Sequence, residues 1–313
     1  MSRFALCLAT LAVLAALAGC GGSGKTEAGK TQARDADAHT ICVTNDPLRV
    51  FAERIGGGQV KVHFPHSGDE DPEFWQPDDA ALQAYQHADL ILLNGAGYDK
   101  WVARASLSES KLVDTARAFK AEFIPLPGSV THSHGPEGEH SHTGFIGITW
   151  LDPLQAKIQA RAVYDALVKR WPGHAADFKP GFEGLSTELD GLHAAWTGLM
   201  KDYAGVPVVG SHPVFDYLAR RYKWNYRAVH FEPHEMPDDK ALQDLRALLK
   251  QHPAKYMVWE SEPKPEIAKR LKDEFGLEVA VCYPGGLLNG KDYFELMKEN
   301  IERLKPVFAK AIP

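Results

Sequence analysis

Thr40-Ile41-Cys42-Val43-Thr44-Asn45-Asp46-Pro47 begins the part of the chain that decides the fold. A short apolar run without alternation reads as a strand buried on both faces. Asp46 is a good N-cap and Pro47 a good first helical residue, so a helix follows directly, and Gly56-Gly57-Gly58 supplies its stop. Working outward, Val60 to His63 reads as the next strand, and Asp78 or Asp79 opens a short helix carrying Leu82 and Tyr85. Asp89-Leu90-Ile91-Leu92-Leu93 is another buried strand, ended by Asn94-Gly95. Strand and helix alternate, which is the rhythm of a parallel sheet covered on both faces.

The rhythm changes at Pro153. From there to about Met200 the sequence is mostly helical in period, with Pro172 and Pro180 as interruptions. Phe182, Leu185, Leu189, Leu192 and Trp196 recur at steps of three and four, the stripe of a long helix with one buried face. Strand and helix then alternate again. Strands fall at Val206 to Val209, Tyr226 to Val229, Tyr256 to Trp259 and Glu278 to Cys282. Helices fall at Val214 to Tyr222, Asp239 to Lys250, Pro265 to Phe275 and Tyr293 to Phe308. The fold expected is α/β, with two parallel-sheet lobes joined by a long rigid helix. The expected boundaries are an N-terminal lobe at 39–172, a linker helix at 173–202 and a C-terminal lobe at 203–313.

The amino terminus reads as an address. Arg3 precedes a mostly apolar, small-residue stretch from Phe4 to Ala18, shorter than a spanning helix needs, and Leu17-Ala18-Gly19-Cys20 resembles a bacterial lipobox. Residues 1–19 are therefore expected to be a lipoprotein signal peptide with Cys20 lipidated. Residues 20–38 are poor in large apolar side chains and are expected to be a flexible tether. That places the mature chain outside the cytoplasm, held to a membrane. Of four cysteines, Cys42 and Cys282 would remain in the folded part, and both are expected as buried free thiols. With 35 basic against 41 acidic residues and no basic stripe, a nucleic-acid partner is excluded. Gly-x-Ser-x-Gly and Walker A signatures are absent.

Fourteen histidines mark the chemistry. Thr131-His132-Ser133-His134-Gly135-Pro136-Glu137-Gly138-Glu139-His140-Ser141-His142 concentrates four imidazoles, and a His-x-His pair on extended chain presents two nitrogens on one side. Neutral imidazole suits zinc, copper and nickel. His134, His140 and His142 are candidate ligands in this His-rich loop at 131–142, although a metal-collecting tether outside the true site would look the same. His212 follows a strand and Glu260 ends another, and ligands gather at that edge of open α/β sheets. Both are candidate ligands. His230, Glu232, His234 and Glu235 are expected to form a cleft-rim loop, and His63 and His66 to be structural.

Several blocks together resemble the metal-binding solute receptors of bacterial zinc and manganese ABC importers, from about Ile41 to the last helix. Asp71-Pro72-Glu73-Phe74-Trp75-Gln76-Pro77 resembles the family's Asp-Pro-His-x-Tyr-Glu-Pro, and Trp150-Leu151-Asp152-Pro153 its Trp-Leu-Asp-Pro block. Ala88 to Gly95 followed by Trp101, and Ser211-His212-Pro213-Val214-Phe215-Asp216-Tyr217-Leu218-Ala219, resemble two more. The departures mark a divergent branch with a rebuilt site. The family's first ligand position falls on Glu73, its second on Ile148, and its last carboxylate near Cys282-Tyr283-Pro284, so His212 alone carries over.

The resemblance implies a non-enzymatic, monomeric lipoprotein that captures Zn²⁺ between its lobes and delivers it to an ABC permease, with Mn²⁺ the second choice of cargo. It also implies a helix that limits hinge closure, so that loading mainly reorders loops. A zinc hydrolase using His140, His142 and His212, and a metal chaperone or adhesin on the same fold, are the alternative readings.

Overall fold

The computed structural model describes residues 39–126, 130–133, 139–142 and 144–311. The expected signal, tether and Cys20 lie outside them. Among the described residues no helix is long and apolar enough to cross a membrane.

Strand β1 (His39–Val43) leads into α1 (Asp46–Gly56), β2 (Val60–His63), α2 (Asp79–His87), β3 (Leu90–Leu93) and β4 (Leu112–Asp114). All four strands run parallel in the order β2-β1-β3-β4. A hairpin follows, β5 (Val130–Ser133) against β6 (Glu139–His142), where a loop was expected. Two helices, α3 (Pro153–Arg170) and α4 (Ala175–Tyr203), then cross to the second sheet. There β7 (Pro207–Gly210), α5 (Asp216–Tyr222), β8 (Asn225–Ala228), α6 (Asp239–Gln251), β9 (Tyr256–Trp259), α7 (Pro265–Phe275) and β10 (Glu278–Val281) alternate. The sheet is again all parallel, in the order β10-β9-β7-β8, and α8 (Tyr293–Ala311) closes the chain. The expected α/β class with two parallel sheets and a long connecting helix is what the chain adopts.

Two local expectations are corrected. Asn45, not Asp46, is the N-cap of α1: its Oδ1 accepts the Leu48 N–H at 2.9 Å. That shift frees the Asp46 carboxylate to accept the Leu288 N–H at 2.7 Å from the far side of the molecule. Pro172 does separate α3 from α4, but Pro180 lies inside α4 without ending it. One proline removes a single helical hydrogen bond. Packing of a long buried stripe outweighs that loss, because Phe178, Leu185, Leu189, Leu192 and Trp196 are all sealed in the core. The next residue, Gly181, lets α4 pass over the end of α1, since a Cβ there would sit 2.2 Å from the Arg54 carbonyl oxygen.

One apolar core runs through α4 into both sheets, joining Val43, Phe51 and Leu92 to Val208, Val258 and Phe308. Polar ties add to it. Trp150 Nε1 donates to the Pro284 carbonyl at 2.8 Å, Tyr293 Oη donates to the Trp150 carbonyl at 2.8 Å, and Arg221 Nε meets buried Asp152 at 2.7 Å. The described residues accordingly form one compact unit. Cys42 and Cys282 are buried and free, as expected; burial pushes the Cys42 thiol up to about 12 and also raises that of Cys282.

Candidate metal centre

In the second sheet the chain leaves β7 toward β8, while β9 pairs on the other side of β7. Strand order therefore reverses between β7 and β9. Two chains diverging at that point leave a crevice at their carboxyl ends, where ligands lodge in open α/β sheets. His212 follows β7 and Glu260 follows β9, one on each side of the reversal. Sequence reasoning had put both at strand ends, and the sheet makes those ends neighbours.

Backbone bonds hold the rest of this edge. The ladder continues past β8, with Val229 N–H donating to the Gly210 carbonyl at 3.0 Å and Phe231 N–H to the Ser211 carbonyl at 2.7 Å. This extension sets His230 against His212, ring edge to ring face with centroids 5.5 Å apart. Trp259 Nε1 pins the following loop through the Pro233 carbonyl at 3.1 Å. Tyr226 Oη donates to the His212 carbonyl at 3.0 Å, and only glycine at 210 lets that ring through, since a Cβ there would lie 2.1 Å from the hydroxyl. The segment expected as a cleft rim thus also brings His230 against His212. The signal was present in the sequence: His230-Phe231-Glu232 follows a strand, as His212 does.

The first lobe faces this edge with acid. Asp71 and Glu73 sit in the loop between β2 and α2, where Asp71 caps a turn by accepting the Glu73 N–H at 2.9 Å. Buried Trp75 anchors the loop against Trp101 at 6.2 Å. Burial is the main cause of an unusual charge state here. It raises the Asp71 carboxyl, and it pushes Glu73 up to about 7 despite the Lys100 ammonium 2.9 Å away. Glu260 is pushed up to about 8 by burial and then by the negative charges of Asp71, Glu232 and Glu73. Burial thus favours the protonated form of Asp71, Glu73 and Glu260, with neighbouring negative charge adding to it at Glu260, and a bound cation would release those protons.

A narrow crevice of about 20 Å³ joins the two sides, with Glu73, Ile148 and His212 in its wall. Ile148, at the vacated second ligand position, supplies only an apolar face. Cys282 is buried and its thiol is held protonated, so it offers no thiolate. Among the described residues no three His, Cys, Asp or Glu side chains stand close enough to enclose an ion.

His134 lies outside the described residues. His140 and His142 belong to β6, with His140 in register opposite His132 and His142 opposite Val130. The chain leaves and rejoins the crevice wall on either side of this hairpin: Leu126 and Ile146 line the crevice, and Leu126 N–H donates to the Gly144 carbonyl at 3.0 Å. His63 is exposed. His66 stacks between Phe64 and Trp75, its buried Nε2 without a hydrogen-bond partner, and burial lowers its pKa against the pull of nearby Asp71.

Two parallel α/β lobes on a long shared helix carry imidazoles on one and carboxylates on both around a crevice between them. The chain belongs to the family described as "ZnuA: Zinc-uptake complex component A periplasmic", which matches residues 41–307. Among curated relatives, the zinc-binding protein AdcA of Streptococcus pyogenes is 24% identical over 283 residues, covering 85% of this chain and 55% of that protein. The chain therefore spans about half the length of the AdcA relatives it matches. Among solved structures, the Zn(II)-bound ZnuA-like domain of Streptococcus pneumoniae AdcA superposes with a TM-score of 0.71 at 21% identity, covering 87% of this chain and 99% of that one. The metal-dependent lipoprotein YcdH from Bacillus subtilis gives a TM-score of 0.71 at 20% identity, covering 86% and 98%. These similarities bear out the family and the fold read from the sequence.

Proposed function

We propose that this protein is the extracytoplasmic receptor of a zinc importer, anchored by a lipid on Cys20. It captures Zn²⁺ between its lobes and hands it to an ABC permease. The carrying observation is the pairing of His212 with His230 at the strand-order reversal, beside Glu260 and opposite Asp71 and Glu73. Two imidazoles with one or two carboxylates make a tetrahedral N/O set that suits zinc, and the imidazole pair favours zinc over manganese. His212 and Glu260 are the core of the set, His230 joins them, and Glu73 closes from the other lobe. The His-rich segment 131–142, with His134, His140 and His142, serves capture. The family's role in zinc uptake and the AdcA relatives' zinc-binding names support the same reading.

Calorimetric titration of chelator-treated protein with zinc tests it. Wild type is expected to bind below micromolar zinc, with affinity rising as pH rises because imidazoles and carboxyls must shed protons. Removing a ligand should cost more than the 10- to 100-fold typical of groups that merely support one, so His212→Ala and His230→Ala are each expected to lose at least about ten-fold. Absence of wild-type binding at micromolar zinc defeats the proposal. Unchanged affinity in His212→Ala defeats this site.

A further inference from the structure

We propose that Lys100 is a built-in counter-cation that occupies Glu73 in the unloaded receptor and sets zinc affinity by competing for that carboxylate. The inference rests on the receptor reading above and adds an affinity-setting residue to it. Glu73 lines the crevice together with His212, so it is the first-lobe carboxylate placed to meet an ion held there. Its Oε1 is taken by Lys100 Nζ at 2.9 Å. The pair is unequal in exposure: the Glu73 side chain is 11% exposed and that of Lys100 is 35% exposed. The ammonium comes in from the solvent side to a carboxylate that cannot itself reach water easily.

Lys100 has a resting place that costs it little. Its Nζ lies 5.0 Å from the centroid of the Phe74 ring, on the residue after Glu73, and its stem starts from the short helical turn Lys100–Arg104. Release needs only rotation of a flexible side chain toward water, where ammonium is well hydrated. Tyr98 and Trp101 on either side are buried and fix the backbone from which the lysine reaches. The ammonium thus satisfies Glu73 while the crevice is empty and leaves when a divalent ion offers more charge. Competition of this kind weakens apparent affinity by the fraction of time the carboxylate is unavailable: an ion pair formed nine-tenths of the time costs about ten-fold. The factor is the same for every cation that uses Glu73 and absent for one that does not.

Calorimetry on the chelator-treated full chain, with zinc and manganese salts, tests this with Lys100→Met, which keeps the stem length and the contact with Phe74. Lys100→Gln serves as a second variant if the first folds poorly, and Lys100→Arg retains the charge. At a pH high enough to keep Glu73 ionised, Lys100→Met is expected to bind zinc and manganese each roughly ten-fold tighter than wild type, while Lys100→Arg stays near wild type. In a Glu73→Gln background the Lys100→Met gain should vanish, a coupling that a merely structural lysine would not show. If wild type binds zinc and Lys100→Met binds equally or more weakly, the competition is refuted and the receptor reading stands. If the gain persists without Glu73, Lys100 acts elsewhere and the inference also fails. If neither wild type nor variant binds zinc, the receptor reading itself falls and this inference falls with it.

Discussion

Replacing Asp46 tests whether the two lobes are held at a fixed spacing. Its carboxylate is 12% exposed, accepts the buried Leu288 N–H at 2.7 Å across the molecule, and meets Arg49 Nε at 2.6 Å one turn along α1. Asp46→Ala strands the Leu288 N–H, which costs about 1–3 kcal/mol for a buried donor. Loss of the partly exposed ion pair adds about 0.5 kcal/mol, and loss of negative charge in the first helical turn about as much again. The expected total is about 2–4 kcal/mol, or roughly 3–7 °C in Tm for a chain of this size. Asp46→Asn keeps an acceptor and loses only the charge, so it should cost about 1 kcal/mol. Urea unfolding of wild type and both variants measures these differences, with zinc titration in parallel to report the spacing of the crevice. If Asp46→Ala is as stable as wild type, or if both variants lose the same amount, the interlobe bond is not what Asp46 contributes.

The remaining tests concern buried charge and close packing. Asp216 opens α5 with an unpartnered buried Oδ2, and burial raises its carboxyl to about 6 from an ordinary 3.8. A carboxyl raised in the folded state stabilises the fold below its ordinary value and loses that contribution as pH climbs through the raised one. Wild-type Tm should therefore carry a falling component between pH 4 and 6 that Asp216→Asn removes, leaving the variant about 1–3 kcal/mol better at pH 7 relative to pH 4. Identical pH profiles for the two proteins would reject this. Gly181→Ala forces a Cβ to 2.2 Å from the Arg54 carbonyl, so α1 and α4 must separate; a loss of at least about 2 kcal/mol in urea unfolding is expected, and a neutral result would mean that the crossing yields freely.

Much of this architecture was legible without coordinates because it is local. Whether Ile41–Val43 or Leu90–Leu93 is a strand depends on contiguous apolar residues, and where a helix starts depends on the cap and proline beside it. Those signals lie within a few residues of their effect, so both sheets and the long helix could be anticipated. Strand β4, three residues long, is too short to carry a pattern. Pro180 misled because its penalty is local, whereas the burial that overrides it comes from the whole length of α4 against two lobes.

The centre divides along the same line. His212 and Glu260 could be placed after their strands from the sequence because a strand's carboxyl end is a property of one segment. That the strands before them are neighbours, that the chain order reverses between them, and that His230 is carried to His212 by two backbone bonds are matters of sheet order. So is the arrival of Asp71 and Glu73, more than 130 residues earlier in the chain, close enough to raise the Glu260 carboxyl. Sequence by itself determined which residues can bind a cation and which stretches are strand or helix. Only tertiary structure decided which of those residues meet, because proximity across lobes is set by the long-range packing of the shared core, and no short window of sequence contains it.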